Sequence, residues 1–155
     1  MLVRNNLVFL ELDRPTPSSG NTYPKSEVQK ALPTYLQLIS QGRAFGGFVD
    51  DINKKTSIID PLKMSHQITE LKIIGDNLVG GIATFNTPKG KHLETLIDRD
   101  DLLFDTRGFG KVRNQIISDW SIISIDIWFD PSGRKRTQLY DPIADYDRAM
   151  GIIKR

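Results

Sequence analysis

Apolar and polar positions alternate most cleanly over residues 120–129. There Ile123, Ile125, Ile127 and Phe129 take one side of an extended backbone, and Ser124, Asp126 and Trp128 take the other. That pattern predicts a strand, closed by Asp130-Pro131-Ser132-Gly133. Shorter strands are predicted over 44–49, 67–74 and 78–85, with Gly75-Asp76-Asn77 joining the last two as a hairpin turn. A strand over 102–106 leads into Arg107-Gly108-Phe109-Gly110, which reads as a tight turn. Near the start, an apolar run over 7–10 meets Arg14-Pro15-Thr16-Pro17 and Ser18-Ser19-Gly20-Asn21, a loop.

The period then changes from two to 3.6. Val28, Ala31, Leu32, Tyr35, Leu36 and Ile39 fall at helical spacing behind Ser26, an expected N-cap with Gln29 as its capping-box partner. Gly42 closes this helix, and Pro33 inside it predicts a kink or two short pieces. Thr87-Pro88 opens a second helix with proline at its first position and Leu93, Leu96 and Ile97 as its apolar stripe. Residues 142–152 suggest a third. Strands with two or three interleaved helices define an α+β fold, an antiparallel sheet or partly closed β-barrel.

Composition narrows the chemistry. The 155 residues suit one domain spanning 1–155, and 39% hydrophobic content supports a folded core. Lys and Arg number 21 against 19 Asp and Glu, a net charge of +2, so a nucleic-acid partner is not expected. The absence of cysteine removes disulfides, thiol catalysis, zinc fingers and iron–sulfur clusters. His66 and His92 are the two histidines, too few for a multi-histidine metal site, and no metal or small-molecule cofactor is expected. No stretch nears the ~20 apolar residues of a membrane span and the N-terminus does not read as a signal peptide, so a soluble intracellular product with no membrane partner is the expectation.

Individual residues invite chemistry, and plain spacing answers most of them. Gly108-Phe109-Gly110 lacks the third glycine of a dinucleotide loop and the Gly-Lys-Ser/Thr of a P-loop. Asp50 and Asp51, and the group Asp98, Asp100 and Asp101 around Arg99, lack EF-hand spacing and read as solvated loop charges. Arg134-Lys135-Arg136 and Lys154-Arg155 have no aromatic platform among them and read as solvated too. Asp126, the acid in an apolar strand, must be paired, hydrogen-bonded or at a wet edge; spacing favours a face open to water. His92 is expected exposed on its helix, and His66 is expected to make a structural hydrogen bond.

Six short blocks, in one order from about residue 20 to residue 132, resemble the prohead core proteases of T4-like tailed phages, serine proteases with a herpesvirus-assemblin-like fold. Asn21-Thr22-Tyr23-Pro24-Lys25 resembles the family's Asn-x-x-Tyr-Pro block before a helix. Residues 42–51 resemble the approach to its Gly-Glu-Leu-Asp-His-Pro. Ser65-His66-Gln67-Ile68-Thr69-Glu70-Leu71 is similar to its Ser-His-x-Ile-Thr-Asp-Leu strand, and Thr87-Pro88-Lys89-Gly90-Lys91 to its Thr-Pro-x-Gly-Lys helix start. Residues 104–110 lie where it has Val-Ser-Ser-Arg-Gly-x-Gly, and 125–132 resemble its Asp-Ile-Val-x-x-Pro-Ser strand end.

The departures fall on the positions that carry the family's reaction. The catalytic histidine maps to Asp51, with Ile52 in place of the following proline; the nucleophilic serine maps to Thr106, and the serine before it to Asp105. Asp126 matches the acid of the Asp-Ile-Val strand. A threonine hydroxyl is a nucleophile only when a base takes its proton, and aspartate is a far weaker base than histidine near neutrality. Asp105 would add negative charge where an oxyanion must form. His66 lies outside the Asp-His-Pro position. Losing one member of such a unit typically costs roughly a million-fold in rate.

The resemblance therefore implies a catalytically inactive structural protein of a tailed-phage virion. It would serve as a head decoration, a capsid-associated protein or a tail-linked binding module, assembled in the host cytoplasm. Its expected partners are capsid or other virion proteins and further copies of itself. The alternative is an active maturation protease that cleaves scaffold or capsid proteins with Thr106 as nucleophile; a third reading is an unrelated α+β interaction domain.

Overall fold

A computed structural model describes residues 1–16, 20–48, 61–98, 102–129 and 136–140. Strand β1 (Val3–Glu11) lies antiparallel to β4 (Asn77–Thr84), β4 to β3 (Met64–Ile74), and β3 to the short β2 (Phe45–Gly47). This four-stranded sheet runs β1-β4-β3-β2. A second sheet has the order β6-β5-β7: a long hairpin of β5 (Leu102–Arg113) and β6 (Ile116–Phe129), with β7 (Arg136–Tyr140) parallel to β5 on its far side. The sheets meet beside β2, where Phe48 forms a parallel bridge with Ile127 of β6. Helix α1 (Lys25–Ser40) packs on β6 and β3, and α2 (Pro88–Leu96) on β3 and β4. The described residues form an α+β fold with open, mainly antiparallel sheets and two α-helices, as the sequence predicts. Residues 142–152, expected to be a third helix, lie outside the described residues.

The core forms from the expected apolar positions. Leu78 and Ile82 of β4, Val28 of α1, Leu93 of α2, and Ile125 and Ile127 of β6 are wholly buried. Phe9 of β1 and Phe104 of β5 meet edge to face at 4.9 Å between ring centres, which ties one sheet to the other. Leu36, placed in the stripe of α1 by spacing, is instead exposed, while Leu32 and Ile39 are partly buried.

Several boundaries differ from the sequence prediction, each for a physical reason. Helix α1 starts at Lys25 with Pro24 as N-cap, so Ser26 stands in the first turn and no capping box forms. The oxygen that caps this end comes from a distant residue: Asp13 accepts the Lys25 amide at 2.8 Å. The helix also runs unbroken through Pro33. Pro33 and Gln29 are both exposed, so the Gln29 carbonyl that loses its helical partner faces water. In the β3–β4 hairpin, Asn77 pairs with Ile74, leaving Gly75-Asp76 as a two-residue turn with Gly75 at φ +58°.

The largest correction is Arg107-Gly108-Phe109-Gly110. It is no turn; β5 passes straight through it with a register shift between Arg107 and Gly108. Gly108 is required because a Cβ there would collide with the Trp120 indole and lie 2.6 Å from the Ser121 carbonyl oxygen. The hairpin turn comes later, at Asn114 and Gln115, both at positive φ. Strand β7 had no signature in the sequence pattern.

At α2 the prediction holds in detail. Pro88 follows the N-cap Thr87, whose hydroxyl accepts the Gly90 amide at 3.0 Å. Replacing Thr87→Ala should cost about 1 kcal/mol of stability and Thr87→Ser much less, as read from chemical denaturation midpoints.

Candidate functional site

The positions singled out by sequence converge on neighbouring stretches of β5 and β6. Their ladder sets Asp105 opposite Asp126, Thr106 opposite Ile125, and Arg107 opposite Ser124. Side chains alternate along a strand, so this register puts Thr106 on the face of Ile125 and Asp126 on the other. Asp51, the third position, lies outside the described residues.

Asp126 is fully buried, not on a wet face as its spacing suggested. Burial of a carboxylate requires partners, and the surrounding strands supply them. Arg107 donates from Nε at 3.0 Å and from Nη2 at 2.8 Å. The Ser124 hydroxyl donates at 3.1 Å, and itself accepts from Arg107 Nε at 3.1 Å. The Gly47 amide of β2 donates at 3.0 Å. Tyr35 of α1 is buried close enough to feel this charge. Burial, and then Asp126, push its phenol well above the usual tyrosine range.

His66 occupies the seam between the sheets. Its Nε2 lies 2.8 Å from the Ile125 carbonyl and its Nδ1 2.8 Å from the Ser65 hydroxyl, with ring and hydroxyl both fully buried. A carbonyl oxygen only accepts, so Nε2 carries the hydrogen; in the neutral ring Nδ1 then accepts from Ser65. Burial lowers the proton affinity of His66 below its ordinary value, partly offset by the Ile125 carbonyl and by Asp126. Gly46 of β2 lies against this contact. A Cβ there would overlap both the ring Nε2 and the Ile125 carbonyl oxygen.

Thr106 is buried, and its hydroxyl has no hydrogen-bond partner among the described residues. No base reaches it. His66 is engaged as the structural hydrogen-bonding residue that the sequence suggested. His92 is exposed on α2, as expected, with its ring stacked at 5.5 Å on Phe48. The structure thus joins Asp126 to Arg107, Ser124 and β2, and brings neither Asp126 nor a histidine into hydrogen bonding with Thr106. The sequence does not single out Arg107 as a site residue; the signal that could find it is the acid inside an apolar strand, for which a paired carboxylate is one of the allowed states.

The remaining candidates are peripheral. Asp98 is exposed and forms a two-point ion pair with Arg4, at 2.9 Å for each contact. Asp50, Arg99, Asp100, Asp101, Arg134, Lys135, Lys154 and Arg155 lie outside the described residues, and Arg136 begins β7. Among the described residues no group of three His, Cys, Asp or Glu could hold a metal ion, and no helix is long and apolar enough to cross a membrane.

Comparison with solved structures finds the capsid assembly protease gp21 of bacteriophage T4. The TM-score is 0.68 at 15% sequence identity, over 84% of this chain and 92% of that one. At this identity the likeness is one of fold, and the fold is prohead-protease-like. No protein-family model and no curated protein matches the chain.

Asp126→Asn should leave the Arg107 charge buried without its partner and cost on the order of 3–5 kcal/mol in urea unfolding. Gly46→Ala should destabilise by roughly 1–3 kcal/mol through overpacking against the His66 ring, measured the same way.

Proposed function

We propose that this chain is a non-proteolytic component of a tailed-phage head, a binding module that keeps a prohead-protease-like fold with its catalytic positions altered. The observation that carries the reading is the state of the Thr106 hydroxyl. It is buried and has no hydrogen-bond partner among the described residues, on the face of the ladder opposite Asp126, while the Asp126 carboxylate is held by Arg107, Ser124 and Gly47. Among the described residues nothing stands ready to take the proton of that hydroxyl. The fold likeness to a capsid assembly protease supports the phage-head setting. In this reading the whole chain is one domain, it binds capsid or other virion proteins together with further copies of itself, and it stays in the particle.

The competing reading, a maturation protease with Thr106 as nucleophile, draws on the activity named for the T4 protein. The two separate cleanly in experiment. Quantitative mass spectrometry of purified mature particles should find many copies with intact termini. Thr106→Ala should leave particle incorporation and the processing of head proteins unchanged. Absence of the chain from mature particles, with head-protein cleavage lost in Thr106→Ala, would establish the protease instead.

A further inference from the structure

His66 is a buried titratable group that the proposed function does not use, and its surroundings give it a specific task. The ring belongs to β3, in the first sheet, and its Nε2 hydrogen goes to the Ile125 carbonyl of β6, in the second. Between them lies β2, which is three residues long, shifts register after Gly46, and is joined to β6 by the Gly47–Asp126 hydrogen bond and the Phe48–Ile127 bridge. Among the described residues the Gly47–Asp126 and His66–Ile125 hydrogen bonds both cross this seam, and the ring is central to it.

The neutral ring satisfies this site completely and the charged ring does not. Protonation places hydrogens on both nitrogens, so Nδ1 can no longer accept from Ser65. The Ser65 hydroxyl is fully buried and would lose the acceptor of its hydrogen. Gly46 stands so close to the ring that the ring cannot shift toward β2 unless that strand moves.

The charges that the described residues place around the ring do not remove this conflict. Asp126 of β6 favours a cation, but Arg107 of β5 already answers it. Tyr35 of α1 stays neutral. Glu94 of α2 is bound to the hydroxyl of Thr84, the β4 register partner of His66. Strand β2 contributes no titratable side chain.

We propose that His66 is a proton-operated latch: uptake of one proton by its ring frees β2 from β6 and opens the seam, while the β5–β6 hairpin stays folded. The sign follows from linkage. A ring with depressed proton affinity in the closed state gives its full stabilisation above about pH 6.5, the value of an exposed histidine, and loses it as the pH falls below that. The inference stands whether or not the chain is proteolytic.

Hydrogen exchange with mass spectrometry, corrected for intrinsic rates, tests it on the intact chain between pH 7.5 and pH 4.5. Protection at Gly47 and Phe48 should fall about tenfold or more across that range, with the β5–β6 hairpin amides unchanged. The fall should vanish in His66→Gln and persist in His92→Gln, which alters the exposed histidine. His92→Gln keeps the test decisive should His66→Gln not fold. Unchanged protection at β2, a loss shared by the hairpin, a fall that survives in His66→Gln, or one that disappears in His92→Gln would each overturn the latch.

Discussion

A carboxylate withdrawn from water needs hydrogen-bond donors that the protein must bring to it, and at Asp126 three strands are fixed by that demand. Arg107 must lie on β5 in the register that reaches across to β6, Ser124 must point the same way two residues upstream, and the Gly47 amide must arrive from β2. Satisfying one buried charge therefore aligns the second sheet internally and attaches the first sheet to it. With Asp126 fully buried, removal of any one donor leaves a charge or dipole that solvent cannot reach.

Small residues make this arrangement sterically possible. Gly46 lets β2 approach the point where the His66 ring meets the Ile125 carbonyl, and Gly108 lets β5 pass beside the Trp120 indole. The edge of β6 that faces the first sheet is covered by assorted groups in place of a full neighbouring strand. The Thr22 carbonyl accepts the Ile117 amide, the Glu27 side chain accepts the Asp119 amide, and the His66 ring donates to Ile125. An open edge of this length would otherwise pair with another chain.

Local signals in the sequence are legible where one residue decides the outcome. Thr87-Pro88 specifies a helix start by its own chemistry, and Gly75-Asp76 specifies a hairpin. The α+β class follows from the change of period between residues 28–39 and 120–129. Legibility ends where a distant partner decides. Asp13 caps α1 from outside the helix, and Trp120 explains the glycine in β5 that looked like a turn. Asp126 looked solvent-facing because its strand alternates, yet helix α1, strand β2 and Arg107 close that face. The family resemblance grouped Asp105, Thr106 and Asp126 as site positions but could not state the register, and the register puts Thr106 on the opposite face of the ladder from the acid.

The contacts that close the seam join residues far apart in the chain. Gly47 and Asp126 are 79 positions apart, and His66 and Ile125 are 59 apart. Closing such loops has an entropic cost that local hairpins avoid, so the β3–β4 and β5–β6 hairpins can assemble before the seam does. The join between the sheets then belongs to the late part of folding. Seam contacts absent from the folding transition state govern how fast the native chain comes apart more than how fast it forms.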